Sequence, residues 1–219
     1  MRKVLLQVCF LAVFWLFSSV SVSAETVDSS LASSVGNKTA HQVIDEVTVK
    51  LMGDLQKNSE AYKADPTKFL PQVESLMDSV VDFPGITRGV MGKRFYGKAT
   101  PEQRERFMQV FKRSLLSTYA KGLVSYSDEK VVMLPPEGDS NGKKRVSVGQ
   151  EIHGATDVYP VSYTMVLNGD GQWKLLNMVI NGVNLGKTFR NQFTQSMRRN
   201  AGDIDKVIET WDVNASEGV

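Results

Sequence analysis

Apolar residues recur at three- and four-residue steps through the first part of the chain, and that spacing predicts amphipathic helices. The second helix should end at Asp82-Phe83-Pro84-Gly85, because proline disfavours helical backbone in the residue before it and glycine loosens the chain. The predicted helices cover residues 40–55, 66–81, 86–96 and 101–126.

The longest predicted helix has a strong start signal and a broad apolar face. Thr100 stands at the N-cap, Pro101 at the first helical position and Gln103 at the third, which together form a capping box. Such a broad face is typical of packed core and less often lines a ligand site. Its apolar positions are Phe107, Phe111, Leu115, Tyr119, Leu123 and Tyr126.

After Ser127 the hydrophobic period changes from helical to two, which predicts β-strands. Asn141-Gly142 and the segment from Asn168 to Gly171 favour hairpin turns, since such turns need positive φ. The predicted strands cover residues 130–134, 145–153, 158–168 and 172–181.

The fourth predicted strand changes phase along its length. Trp173 and Leu175 fall in one phase, whereas Leu176 and Met178 fall in the other, which predicts a bulge or burial on both faces. Two further helices are predicted after the strands, the last over 203–211. The order of helices, antiparallel strands and helices predicts an α+β fold rather than a doubly wound sheet.

The first 24 residues follow the pattern of a cleaved secretory signal. Arg2 and Lys3 precede an apolar run, and Val22-Ser23-Ala24 places small residues at the positions that a signal peptidase accepts. The apolar run of about 14 residues is shorter than the roughly 20 that span a membrane. We therefore predict a signal peptide over 1–24 with cleavage after Ala24 and a periplasmic location.

The rest of the chain is predicted to form one domain of ordinary globular composition. Hydrophobic residues make up 42% and charged residues 23% of the 219 residues, which is close to the average for folded domains. A flexible lead-in is expected over 25–38, a single domain over 39–212 and a tail over 213–219.

Charge and cysteine content exclude several classes of function. Cleavage would remove Arg2 and Lys3 and no acid, so that 26 basic residues become 24 against 24 acidic ones. A neutral chain has no overall field to hold nucleic acid. Cys9, the only cysteine, lies in the leader, so the mature chain would have neither disulfides nor thiolate metal sites.

Motifs for catalysis or metal binding are scarce. His41 and His153 are over a hundred residues apart, and neither a hydrolase elbow nor a phosphate-binding loop is present. An enzyme of the ketosteroid-isomerase type, using Asp157 or Tyr163 in a conical cavity, stays an alternative. So does an adaptor whose interior is only packed core. The surplus of large apolar side chains favours an apolar ligand site instead.

The chain carries an ordered set of short motifs from residue 43 to 211. They are Asp82-Phe83 with Arg88, Gly92 to Tyr96, Ala99 to Gln103, Phe107, Phe111, Tyr119-Ala120, Trp173-Lys174, Gly182-Val183, Leu185 and Phe189 to Phe193. This set resembles the Mla-pathway periplasmic lipid-binding family, also called the toluene-tolerance family. Two residues depart from the family pattern: Asn177 replaces a common Asp and Asn184 a common Ser, both beside the expected cavity, where they bear on head-group contacts.

The resemblance implies a periplasmic phospholipid carrier that is not an enzyme, needs no cofactor and maintains outer-membrane lipid asymmetry. Its implied partners are an inner-membrane ABC transporter complex with a membrane-anchored substrate-binding subunit and an outer-membrane lipoprotein–porin complex. The implied fold is a nuclear-transport-factor-like cone, in which a curved four-stranded antiparallel sheet and added helices enclose an apolar cavity. The protein is expected to be a monomer.

Acyl chains are then expected inside the cone, with the head group at its mouth. Four basic residues, Arg88, Lys93, Arg94 and Arg190, are predicted to form that mouth. The predicted cavity wall consists of Phe83, Met91, Phe95, Phe107, Phe111, Leu115, Tyr119, Val146, Val148, Val161, Tyr163, Met165, Trp173 and Phe189.

Overall fold

The computed structural model describes residues 38–125, 129–136, 138 and 142–212, with side chains left out at 119–125. The predicted signal peptide, most of the lead-in and the tail over 213–219 lie outside the described residues. So do Tyr126, Asn141 and the side chain of Tyr119.

Helices at both ends of the described chain enclose an antiparallel meander of strands. The sheet order is β1-β2-β3-β4-β5. The elements are α1 (Ala40–Lys57), α2 (Ser59–Ala64), a 3₁₀ helix (Pro66–Phe69), α3 (Leu70–Val80), α4 (Phe83–Lys98), α5 (Pro101–Ser125), β1 (Lys130–Met133), β2 (Arg145–His153), β3 (Val158–Leu167), β4 (Trp173–Ile180), β5 (Val183–Asn184), α6 (Leu185–Arg199) and α7 (Ile204–Glu209).

The capping box predicted at the start of α5 is present. Thr100 Oγ1 accepts a hydrogen bond from the Gln103 amide at 3.2 Å, and Gln103 Oε1 accepts one from the Thr100 amide at 3.0 Å. Thr39 and Gln42 form the same reciprocal pair at the start of α1. Caps of this kind satisfy helix amides that have no partner within the helix.

Two predicted helices differ from the structure at their starts. The helix predicted over 66–81 begins as a 3₁₀ helix and becomes α-helical at Leu70. Helix α4 begins at Phe83 rather than at Ile86, because Asp82 Oδ1 accepts a hydrogen bond from the Gly85 amide. Pro84 then lies in the first turn, where a missing amide hydrogen costs nothing. Helix α2, with six residues, was too short for a periodic signal.

The phase change predicted in β4 is confirmed as a bulge. Thr164 pairs with Asn177 and Met165 pairs with Leu175, which leaves Leu176 as an extra residue on β4. Bulges bend a strand and increase its twist. The bend contributes to the curved, open form of the sheet.

The sheet has five strands rather than the predicted four. Asn181 and Gly182 have positive φ values of 47° and 79°, as the two central residues of a tight hairpin turn require. The turn returns the chain alongside β4, where Val183 pairs with Ile180. A two-residue strand carries too little alternation to be predicted.

The core divides into separate clusters of buried side chains. The helix-side cluster contains residues from the four helices α4, α5, α6 and α7 and from the segments beside them. It consists of Val90, Met91, Ala99, Phe107, Phe111, Phe189, Phe193, Met197, Val207, Ile208 and Trp211. The sheet-side cluster lies between one face of the sheet and the helices and consists of Ala40, Ile44, Val80, Val81, Phe83, Val148 and Met165, with partly buried neighbours. Leu55, Tyr62, Phe69, Val73 and Leu116 form a third cluster.

Candidate functional site

The predicted wall residues do not form one continuous surface. Val161 is buried on the sheet face and pairs with Gln150 and Ile180, while Tyr119 has no described side chain. Met91, Phe95, Phe107, Phe111, Leu115 and Phe189 lie in or against the helix-side cluster. Phe83, Val146, Val148, Tyr163, Met165 and Trp173 lie in or against the sheet-side cluster.

Aromatic rings packed edge to face dominate the helix-side cluster. The ring centroids of Phe107 and Phe193 are 4.9 Å apart, and those of Phe107 and Trp211 are 5.0 Å apart at an interplanar angle of 85°. Phe111 meets Phe189 at 5.2 Å and 83°. Such ring pairs favour defined geometry and add stability beyond area burial. This cluster has the features of a structural core.

Aliphatic and methionine side chains dominate the sheet-side cluster. Val148 and Met165 have no exposed surface. Met77 from α3, Met108 from α5 and Met133 from β1 pack around the buried members. Methionine is flexible and fills irregular or changing apolar space. This cluster therefore has the composition of an adaptable interior.

A polar group lies inside the apolar surroundings of the sheet face. Gln150 is 1% exposed; its Nε2 donates to Thr48 Oγ1 at 2.8 Å and lies 2.7 Å from Met133 Sδ, while its Oε1 accepts from the Tyr163 hydroxyl at 2.8 Å. Burial raises the pKa of Tyr163 to about 12. Alternation along β2 places Gln150 on the inward face with Val148. The predicted wall does not include Gln150, because that wall contains only apolar and aromatic residues.

A lysine on α5 connects this region to α3 through two ion pairs. Lys112 Nζ lies 2.9 Å from Glu74 Oε1 and 2.7 Å from Asp78 Oδ1, and 5.7 Å from the centroid of the Phe83 ring. Burial alone would lower the pKa of Lys112, but its hydrogen bonds to Asp78 and Glu74 outweigh this and raise the pKa. Lys112 is far from Glu74 and Asp78 in sequence, so no local sequence pattern predicts these ion pairs.

The basic residues predicted for the mouth lie beside the helix-side cluster. Arg94 and Arg190 line one depression of about 450 Å³, so the α4 and α6 segments do converge. The guanidinium of Arg88 lies 5.5 Å from the centroid of the Tyr96 ring, and Lys93 is exposed. Their described contacts are thus with α4 and α6. A head-group role for them stays a prediction.

Asn177 and Asn184, the two departures from the family pattern, hold the backbone between β4 and α6. Asn177 Oδ1 accepts a hydrogen bond from the Gly186 amide at 2.9 Å. Asn184 is the N-cap of α6, and its Oδ1 accepts from the Lys187 amide at 3.0 Å. Both side chains therefore have local structural roles.

The residues considered for catalysis are not brought together. Asp157 is exposed in the turn between β2 and β3, where its Oδ2 accepts from Thr156 Oγ1 at 2.8 Å. Tyr163 is in the interior, bonded to Gln150. Among the described residues no group of three or more His, Cys, Asp or Glu side chains is arranged to hold a metal ion. The described helices include none long and apolar enough to cross a membrane.

The chain matches a family model and named relatives over most of its length. The family model described as MlaC protein matches residues 45–213. The chain is 41% identical to the toluene tolerance protein ttg2D of Pseudomonas putida over 178 residues, 81% of each chain. It is 24% identical to the intermembrane phospholipid transport system binding protein MlaC of Haemophilus influenzae over 190 residues, 85% of this chain and 87% of the other.

A solved structure has the same fold. It is the phospholipid-binding protein from Ralstonia solanacearum in complex with a phospholipid. The TM-score is 0.72 at 22% sequence identity, and the match covers 78% of this chain and 94% of the other. The expected curved sheet with added helices is therefore confirmed.

Proposed function

The chain belongs to the MlaC family, and from this membership we propose that it is a periplasmic phospholipid carrier and not an enzyme. Family membership carries the proposal, and the sheet-side cluster, an apolar interior between a curved sheet and helices, is consistent with it. The Ralstonia relative of the same fold is described in complex with a phospholipid. Relatives named as transport or tolerance proteins agree with a binding rather than a catalytic role.

We place the acyl chains in the sheet-side cluster. Helix α1 contributes Ala40 and Ile44 to it, and α3 contributes Val80. Because Val148 and Met165 are fully covered, ligand entry requires the helices to move away from the sheet. Methionine side chains on both sides suit such an interior, since they repack at low cost.

Energetics explain why a carrier is needed. Two acyl chains of about 15 methylenes each would cost on the order of 24 kcal/mol to expose to water, at roughly 0.8 kcal/mol per methylene. Spontaneous transfer between membranes is therefore very slow, and a dry interior provides a route. The sequence carries no phosphate-binding loop, so energy input would come from a partner.

The proposed carrier shuttles diacyl lipid between an outer-membrane lipoprotein–porin complex and an inner-membrane ABC transporter with a membrane-anchored substrate-binding subunit. In this way it would maintain outer-membrane lipid asymmetry. A mature chain starting at Glu25 fits this location and would contain no thiol. N-terminal sequencing and thiol titration of periplasmic protein test the start and the missing cysteine.

Native mass spectrometry of the protein purified from periplasm tests the proposal. We expect a mass increment equal to one or more diacyl phospholipids, with the lipid identified after extraction. Protein that is folded but consistently free of lipid would contradict the carrier function and favour the adaptor alternative.

A further inference from the structure

Helices α4 and α6 pack against each other, and all of their charged residues are basic. They carry four basic residues each and no acidic residue within their bounds, whereas the chain as a whole has 26 basic and 24 acidic residues. All eight side chains are exposed. They are Arg88, Lys93, Arg94, Lys98, Lys187, Arg190, Arg198 and Arg199.

None of these eight side chains has an ion-pair partner among the described residues. Within 4.0 Å, the basic residues that form ion pairs in the described structure are Lys38, Lys63, Arg106, Lys112 and His153. Favourable interaction with a helix C-terminus accounts for the last-turn residues Lys98, Arg198 and Arg199. It does not account for Arg94 or Arg190, which lie before the last turn of their helices.

Three of the arginines line a depression between α4 and α6. Arg94, Arg190 and Arg198 line it, together with Met91, Phe95, Thr194 and Met197, over about 450 Å³. Gly92 forms part of its surface with a non-helical φ of 68°, which interrupts α4. A methyl group built at Gly92 would lie 3.2 Å from Arg190 Nε, so glycine allows the guanidinium to lie against the backbone.

The form of the depression favours a protein partner over a membrane surface. An amphipathic helix that lies in a membrane surface presents protruding apolar side chains that insert among the lipids. The large apolar side chains that are exposed in the described part are Val49, Val158 and Val183, and none of them is on α4 or α6. A concave, mainly polar surface lined by arginines instead suits a segment that carries carboxylates.

We propose that this surface docks an acidic segment of a protein partner, whose carboxylates meet Arg94, Arg190 and Arg198 around the depression. The proposal rests on the proposed function only in requiring that a carrier meets a partner. It identifies where on the carrier that contact is made and which chemistry recognises it. The contact is electrostatic at its rim and should weaken as salt is raised.

Binding assays with the mature protein test the docking surface. The probes are the periplasmic domain of the transporter's anchored subunit, the outer-membrane lipoprotein–porin complex, and vesicles of phosphatidylglycerol and phosphatidylcholine. Thr194→Trp fills the depression, and Gln195→Trp is its control at the exposed neighbouring position. Arg198→Glu reverses a charge that lines the depression, and Arg199→Glu reverses its exposed neighbour in the same last turn.

We expect Thr194→Trp and Arg198→Glu to weaken binding to one of the two protein probes by about tenfold or more. The Trp side chain blocks the depression, and the Glu side chain replaces attraction by repulsion at its charged rim. The control variants should stay within about twofold, and lipid content by native mass spectrometry should not change. Equal weakening by Arg198→Glu and Arg199→Glu would overturn the docking site. It would also be overturned if the lipid-loaded parent protein bound only the vesicles, or none of the probes. Protein without lipid that still binds a probe through the depression would contradict the carrier function alone.

Discussion

The two large clusters of the core are built from different side chains. Five aromatic rings are buried on the helix side, with Phe107 touching Phe111, Phe193 and Trp211. On the sheet side Phe83 is the one buried ring among the cluster's described members; Tyr163 and Trp173 pack against it partly buried, and the other contacts come from aliphatic and methionine side chains. Rings in edge contact constrain one another, whereas methionine adapts.

The difference indicates which half of the core would lose fewer specific contacts on opening. A ligand as large as a diacyl lipid needs space that the described interior does not leave at Val148 or Met165. Opening the helix-side cluster would break several ring contacts at once. Separating α1 and α3 from the sheet breaks fewer specific contacts, among them the hydrogen bond between Gln150 and Thr48. On this basis we propose that the ligand lies on the sheet side.

The largest effect on stability is expected on the helix side. Phe107 has no exposed surface, and Phe107→Ala should lower the free energy of unfolding by about 3–5 kcal/mol, the range for buried Phe-to-Ala changes. Urea unfolding gives this value, and native mass spectrometry of the folded fraction should show unchanged lipid content. A stable variant that has lost its lipid would reverse the roles assigned to the two clusters.

The largest effect on lipid content is expected on the sheet side. Val148→Trp fills the proposed acyl space without adding charge and should reduce bound lipid to a small fraction of the parent value. Val110→Trp, at a partly buried position against the helix-side cluster, is the matched control and should keep its lipid. Folded Val148→Trp protein with the parent's lipid stoichiometry would remove the acyl chains from this wall.

Much of this contrast could not be predicted from sequence. The phase change at Leu176 and the capping box at Thr100 are local patterns, and both are present in the structure. Periodicity reveals that Phe107 and Val148 are buried, but not that they face different neighbours. That division depends on how α4 and α6 pack, which no local pattern encodes.

The polar parts of the site were harder still to predict. Gln150 is buried because Tyr163 and Thr48 supply partners, and Lys112 because Glu74 and Asp78 do. Each grouping joins residues from separate elements. Composition alone predicts polar side chains at the surface.

A pH dependence is expected from the buried hydroxyl on the sheet side. The pKa of Tyr163 is about 12 in the folded protein, above the usual value of about 10. Its contribution to stability is complete below pH 10 and is lost as pH rises toward 12, because the unfolded chain releases the proton first. The free energy of unfolding should fall by at most about 1.4 kcal/mol per pH unit in this range. When the free energy of unfolding is plotted against pH, Tyr163→Phe should show the shallower fall. Parallel curves for both proteins would contradict the burial of this hydroxyl.

A smaller effect on stability is expected from the link between α3 and α5. Lys112→Met removes the ion pairs to Glu74 and Asp78, whose side chains are about half exposed, and should cost about 1 kcal/mol or less. Lipid exchange with acceptor vesicles should nevertheless become faster, since α3 is held less firmly. Arg106→Met, which breaks an ion pair to Asp205 at the helix-side surface, should leave exchange unchanged. Equal exchange rates in both variants would show that α3 does not limit entry.

Methionine methyl groups allow one measurement of where the acyl chains lie. Met77, Met108, Met133 and Met165 belong to the sheet-side cluster and its partly buried neighbours, whereas Met91 and Met197 belong to the helix-side cluster. Protein labelled with ¹³C at the methionine methyl groups and otherwise deuterated is loaded with protonated phospholipid, and nuclear Overhauser effects from acyl methylenes are recorded. We expect them at the four sheet-side methyl groups and at neither Met91 nor Met197. Contacts confined to Met91 and Met197 would contradict the central claim.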